Sequence, residues 1–137
     1  MRGHVMFDWD LTPARLAIWT LRVISVGRHE CPGLLQELTQ HLGEDAQQAI
    51  QATQVLTFLM KKGAETKAAP DAFSTQLEPH EELIETALEA IARQRTQEAM
   101  AATQQLCGAH GAIALAALTD LAAIYARRGL VFTPAAA

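Results

Sequence analysis

The apolar stretch formed by residues 112–126 reads AIALAALTDLAAIYA and is interrupted only by Thr119 and Asp120. At about 100° per residue, its large side chains share one broad helix face and its small side chains form a narrow stripe opposite. The broad face contains Leu115, Leu118, Leu121, Ala122 and Tyr125, and the stripe contains Ala112, Ala116, Thr119 and Ala123. The pattern predicts a buried helix that a second helix can approach closely. Because a lone buried carboxylate is costly, we expect Asp120 either to face a polar gap beside Thr119 and Ala116 or to have a partner such as an arginine or a backbone N–H. We favour a structural partner over a catalytic role.

Start and stop signals divide the rest of the chain into helices. Proline favours the first position of a helix and glycine follows the last, and Pro13, Gly43, Pro79 and Gly129 all fit this rule. Alanine, leucine and glutamine dominate the composition, as is typical of helical proteins. We predict an all-α, compact bundle of about six helices in a single domain over residues 1–137. The other predicted segments are an N-terminal tail over 1–11, a linker over 64–78 and a loose C-terminal end over 130–137.

Both halves of the chain follow the order long helix, short helix, long helix. The motif Lys61-Lys62-Gly63 matches Arg127-Arg128-Gly129, and the spacing between such matches is about 64–67 residues. This pattern favours two three-helix repeats related by a pseudo-two-fold axis, although alanine- and leucine-rich helices also align by chance. The first helix is basic and the fourth is acidic. We therefore hypothesise that these two helices lie side by side, with charge reversal at Arg22 and Glu85 as the test.

One face of the third helix carries a candidate interaction patch. Its apolar face is predicted to contain Ala49, Ala52, Val55, Leu56, Leu59 and Met60. The candidate patch consists of Gln47, Gln51, Gln54 and Phe58 on the other face. A phenylalanine ring left in water forgoes roughly 1.5–3 kcal/mol of burial, so another surface should cover it. That surface is either a partner chain or, within the same chain, Phe7, Trp9 or the linker around Pro70.

Charge and targeting signals restrict the classes of partner. The formal net charge is -4, which makes a large nucleic-acid interface unlikely. The apolar stretch is shorter than the roughly 20 residues of a membrane span, and the first residues carry no secretory signal. We therefore expect a cytoplasmic protein that does not bind a membrane. Cys31 and Cys107 form no CxxC pair and are expected to be buried, and their reactivity stays open.

No constellation of side chains indicates a reaction. Glu37 with His41, and His80 with Glu81, lack the Glu-x-x-His spacing of di-iron bundles. A nucleophile-elbow serine motif and a glycine-rich phosphate loop are also missing from the sequence. We expect no cofactor, no metal ligand and no catalytic residue.

Residues 34–63 resemble the helix-turn-helix of winged-helix regulators in their rhythm. In that alternative, Gln47, Gln51 and Gln54 would read bases. Glu44 and Asp45 would repel phosphates at the start of the second helix, and no pair of wing strands follows. A bundle that holds a small ligand or a metal ion is a second alternative. The interpretation we favour is a non-catalytic interaction or scaffold module that acts through self-association or docking to another protein.

Overall fold

The computed structural model describes residues 12–25, 32–63, 76–130 and 132. Helix accounts for 89% of these residues and none of them lies in a strand, which confirms the all-α class. The α-helices are α1 (Pro13–Ser25), α2 (Pro32–Leu42), α3 (Ala46–Gly63), α4 (Pro79–Ala92), α5 (Thr96–Cys107) and α6 (Gly111–Arg127). The predicted tail, residues 64–75 of the predicted linker and residues 133–137 lie outside the described part of the chain.

Two pairs of these α-helices, α2 with α3 and α5 with α6, each form one continuous helical segment. A single 3-10 turn, Gly43–Asp45, joins α2 to α3, and another, Gly108–His110, joins α5 to α6. Each turn begins with a glycine in the left-handed region, with φ of 60° at Gly43 and 59° at Gly108. Only glycine adopts this conformation without a steric penalty. The described chain therefore has four helical segments, and the prediction of about six separate helices is not confirmed.

The ends of α4 and α6 follow recognisable capping patterns. Glu78 precedes α4 and forms a capping box with Glu81, whose carboxylate accepts the Glu78 backbone N–H at 2.9 Å. Gly129 follows the C-terminal end of α6 with φ of 74°, and the Leu130 N–H donates to the Tyr125 carbonyl at 3.0 Å. The same backbone pattern ends α4, but there Gln94 occupies the left-handed position with φ of 62°. The sequence therefore signals the end of α6 through Gly129, whereas Gln94 gives no such signal at the end of α4.

The core is built around α1, α3 and α6. Residues 16–24 of α1 are all buried, so this helix is enclosed on every side over that stretch. α3 packs against both α1 and α6, and α6 also contacts α4 and α5. Asp45, just before α3, binds Arg128, just after α6, with 3.2 Å between Oδ2 and Nε. α3 and α6 therefore run antiparallel.

α6 has one solvent-facing side, so the expectation that its small-residue stripe packs against a second helix was wrong. Asp120 takes the first of its two expected environments, beside Thr119 and Ala116. Leu118, Leu121, Ala122 and Tyr125 are buried as predicted, and Leu115 is half-buried. The small-residue stripe is exposed along its whole length, and Asp120 is exposed beside it. No helix of the described residues covers this side of α6. The carboxylate therefore remains hydrated and needs no protein partner.

Burial on α3 also differs from the predicted face at one position. Val55 was assigned to the core but its side chain is 44% exposed. Thr53 and Thr57 are buried instead, and their hydroxyls donate to the carbonyls of Ala49 and Thr53 at 2.8 Å each. Because threonine can satisfy its hydroxyl within its own helix, its polarity does not prevent burial.

α1 and α4 are in contact, and a buried ion pair joins them. The Arg22 guanidinium binds the Glu81 carboxylate through Nε–Oε2 and Nη2–Oε1, both at 2.7 Å. Arg22 Nη2 also donates to the Gln76 carbonyl at 2.7 Å. The hypothesised partner of Arg22 was wrong: Glu85 instead lies 3.7 Å from Arg15. Glu81 occupies the third helical position of α4, where its carboxylate serves both the capping box and the ion pair.

Candidate interaction surface

A groove with a volume of about 570 Å³ lies between α3 and α6. Because the two helices run antiparallel, residues near the start of one face residues near the end of the other. The groove is lined by Gln48, Gln51, Ala52, Val55, Ile113, Ala116, Ala117, Asp120, Ala123, Ile124 and Arg127. Seven of these eleven side chains are alanine, valine or isoleucine, and the polar ones are Gln48, Gln51, Asp120 and Arg127, so the groove is mostly apolar with polar groups among its walls.

The groove gathers large hydrophobic side chains that are open to solvent. Four such side chains are exposed in the described part of the chain, namely Leu35, Val55, Phe58 and Ile113. Val55 and Ile113 line the groove, and Ile113 is 55% exposed. Phe58 follows Val55 by one turn of α3 and is 58% exposed. Exposed apolar side chains that cluster on one surface are characteristic of contact sites.

The polar groups of the groove differ sharply in how they are satisfied. At one end, Arg127 Nη2 lies 3.5 Å from Asp45 Oδ1 and 3.4 Å from Gln48 Oε1. Asp45 also binds Arg128, so it has two cationic partners. The Asp120 side chain makes no hydrogen bond and no ion pair with the described residues. The Asp120 carboxylate is thus a polar group of the groove that has no hydrogen-bonding or charged partner among the described residues.

The predicted patch overlaps this groove at one residue. Gln47, Gln51 and Phe58 are exposed and Gln54 is half-buried, all on α3. Of the four, Gln51 lines the groove. The contribution of α6 was missed in the sequence because its small-residue stripe was expected to pack inside the bundle. That stripe was nevertheless the available signal, since Ala116 and Ala123 form part of the groove wall.

The other candidate chemistry is dispersed or occupied. Among the described residues, no group of three or more His, Cys, Asp or Glu side chains is arranged to hold a metal ion. His41 Nε2 lies 3.3 Å from Glu37 Oε2 on the same helix, and Glu81 is bound by Arg22. Burial raises the pKa of the Cys107 thiol, which disfavours the nucleophilic thiolate. Cys31 and His29 lie outside the described residues.

By length and composition alone, residues Thr96–Arg127 form one helical segment that is long and apolar enough to cross a membrane. This segment contains α5, the turn at Gly108 and α6, and its two α-helices contact each other. An added Cβ at Gly111 would lie 3.1 Å from the Gln104 Cα, so the two helices approach closely near the turn. Of the 18 most apolar consecutive residues in this segment, 44% are buried within the fold.

Comparison with known proteins identifies no relative. No family model, no curated protein and no solved structure matches this chain. The groove between α3 and α6 is therefore the feature of the molecule from which a function is inferred.

Proposed function

We propose that this protein is a non-catalytic helical interaction module whose groove between α3 and α6 binds another protein chain. The observation that carries the proposal is the apolar groove, with Val55 and Ile113 exposed on its walls. Burying such side chains supplies roughly 25 cal/mol per Å² of apolar surface, which is the main driving force of association. Gln48 and Gln51 provide a polar rim that can hydrogen-bond to a partner.

We also propose that the chain consists of two three-helix repeats related by a pseudo-two-fold axis. The glycines that begin the two 3-10 turns, Gly43 and Gly108, are 65 positions apart. With that same spacing, no buried position of residues 34–60 has an exposed counterpart in residues 99–125. Four equivalent pairs line the groove, namely Gln48 with Ile113, Gln51 with Ala116, Ala52 with Ala117, and Val55 with Asp120. The groove would then lie on the axis that relates the repeats.

A helix-turn-helix role for residues 34–63 has less support. Ala46, Ala49 and Ile50 of α3 are buried, so the start of this helix is held in the core rather than presented to a DNA groove. Asp45 beside it is a carboxylate that already binds Arg128. Phosphate contacts at this end would require a cationic or hydrogen-bonding surface.

The proposal is tested with peptides that can form one amphipathic helix. A displayed library of helical peptides about 15 residues long, enough for a marginally stable isolated helix, is selected against the folded protein. We expect selected peptides to lose at least about tenfold in affinity for Val55→Lys, which puts a charge on the groove wall. The matched control is Gln105→Lys, which adds a positive charge at an exposed position of α5 outside the groove.

The control variant separates a specific site from general stickiness. Peptides that bind wild type and Gln105→Lys equally, and Val55→Lys much more weakly, would support the proposal. Peptides that bind all three proteins equally, or the absence of any bound peptide when the wild-type protein is monomeric, would contradict it. Helical content measured by circular dichroism must be the same for the three proteins, which shows that the lysine acts at the surface.

A further inference from the structure

We propose that the occupant of the groove is a second copy of this chain, with α6 packed antiparallel against α6 of that copy. This inference rests on the proposed function, because it names the partner of the same surface. A two-fold dimer uses one surface patch on both subunits, so that patch must be complementary to itself. The side of α6 that lines the groove meets this condition in both charge and shape.

The charges on α6 are complementary to an antiparallel copy. Asp120 has no partner among the described residues, and the Arg127 side chain is 54% exposed. The two residues are seven positions apart, which places them on one side of the helix about 10 Å apart along its axis. An antiparallel second α6 therefore brings Asp120 to Arg127 of the second copy and Arg127 to Asp120 of the second copy, both at once.

The present partners of Arg127 do not prevent this exchange. Its contacts with Asp45 and Gln48 are long, at 3.5 Å and 3.4 Å. Arg128 binds the same Asp45 at 3.2 Å, so Asp45 keeps a cationic partner when Arg127 turns to the second copy. Forming the two bridges between the copies thus leaves no carboxylate unpaired at this end of the groove.

The shape of the surface permits close contact between the two helices. Ala123 lies midway between Asp120 and Arg127. Thr119 lies one turn before Ala123, and Ala116 lies two turns before it. All three side chains are exposed. Small side chains at a helix crossing allow interaxial distances near the short end of the usual range, about 8 Å. In this arrangement Ala123 lies beside the two-fold axis, and Val55 is covered by the second copy.

Charge exchange tests the register directly. Sedimentation velocity is measured for Asp120→Arg alone, for Arg127→Asp alone and for their equimolar mixture. Each single variant places like charges opposite each other, and we expect its dimer to dissociate at least about tenfold more readily than wild type. The mixture restores two opposite-charge pairs, so we expect a heterodimer that approaches wild-type affinity. Single variants that dimerise like wild type would overturn the inference.

Cross-linking provides a second test that does not depend on the charges. In a Cys31→Ser background, Ala123→Cys should be joined across the two-fold axis by a short bismaleimide. Ala101→Cys, which is exposed on α5, should not be joined. Equal cross-linking at both positions, or none at Ala123→Cys, would contradict the antiparallel packing.

The failure of this inference is distinguishable from failure of the proposed function. A wild-type protein that stays monomeric at all concentrations but binds selected helical peptides in the groove overturns the second copy alone. A monomer that binds no peptide in a Val55-dependent manner overturns both. A dimer that ignores the charge exchange and the Ala123→Cys position shows that the chains meet through another surface, which also overturns the inference.

Discussion

Removing one member of the Arg22–Glu81 ion pair should destabilise the protein severely. The Arg22 side chain is 1% exposed and that of Glu81 is 0% exposed. In Arg22→Met, the Glu81 carboxylate stays buried without its cation, a change that costs about 3–5 kcal/mol. A domain of this size typically has only about 5–15 kcal/mol of unfolding free energy. The single variant therefore loses a large fraction of its stability.

The double variant Arg22→Met/Glu81→Leu should recover most of that loss. Replacing both members of a buried pair with apolar side chains is often neutral or stabilising by about 1–4 kcal/mol. Other bonds disappear as well, among them the one from Glu78 N–H to Glu81 and the one from Arg22 to the Gln76 carbonyl. Each contributes about 1 kcal/mol. We expect the double variant to lie within about 2 kcal/mol of wild type. Because each single variant should lose about 3–5 kcal/mol, the coupling energy is then at least about 4 kcal/mol.

Urea unfolding followed by circular dichroism measures this cycle, with unfolding midpoints compared at constant slope. The control is Arg15→Met, because the Arg15–Glu85 pair is 3.7 Å apart and partly exposed on both sides. Such a pair contributes under about 1 kcal/mol. The reasoning would be refuted if Arg22→Met cost no more than Arg15→Met, or if the double variant were destabilised by the sum of the two single effects.

Three further predictions follow from backbone and titration properties. Gln94 has a left-handed φ of 62° after α4, so Gln94→Gly should raise the unfolding free energy by about 1 kcal/mol. Gln105→Gly inside α5 should lower it by a similar amount. Changes of the same sign in the two variants would refute the left-handed conformation of Gln94. Burial raises the pKa of Glu85, and Arg15 opposes this shift, so the folded protein binds the Glu85 proton more tightly than the unfolded protein does. The protonated Glu85 therefore contributes stability that is lost as pH rises from the ordinary carboxyl pKa through the raised one. Glu85→Gln should remove that fall, so urea midpoints of the two proteins should diverge as pH rises through this window; parallel curves would count against it. Burial raises the pKa of Tyr125, the only tyrosine in the chain, so tyrosinate absorbance should be absent near pH ~10 in the folded protein and present in denaturant; ionisation of the folded protein in that range would contradict its burial.

Helix boundaries could be predicted from the sequence because their signals are local. Pro13 and Pro79 begin their helices. Gly43, Gly108 and Gly129 lie at or just after helix ends, where the backbone needs a positive φ that glycine adopts readily. In each case, the residue that gives the signal lies at or next to the backbone position whose conformation it determines. What a local signal does not carry is whether two α-helices are separated by a long link or joined by a single 3-10 turn.

The candidate site could be predicted only in part, because exposure depends on distant residues. The sequence indicates that α6 has a small-residue stripe, but it does not indicate whether a helix of the same chain covers it. In the sequence Glu81 is one acid of an acidic fourth helix, and nothing local indicates that it binds Arg22, 59 positions away, in the core. Val55 fits an apolar helix face but lies where α3 borders the groove. Such differences arise from tertiary packing rather than from helix periodicity.

Light scattering over a wide concentration range tests most directly whether chains associate through the groove between α3 and α6. For wild type and Gln105→Lys, we expect the mass to rise with concentration from the 14.9 kDa of one chain toward twice that value. For Val55→Lys, we expect the mass to remain that of one chain under the same conditions. A wild-type mass that never exceeds one chain, or a Val55→Lys protein that associates as readily as wild type, would contradict association of the chains through this groove.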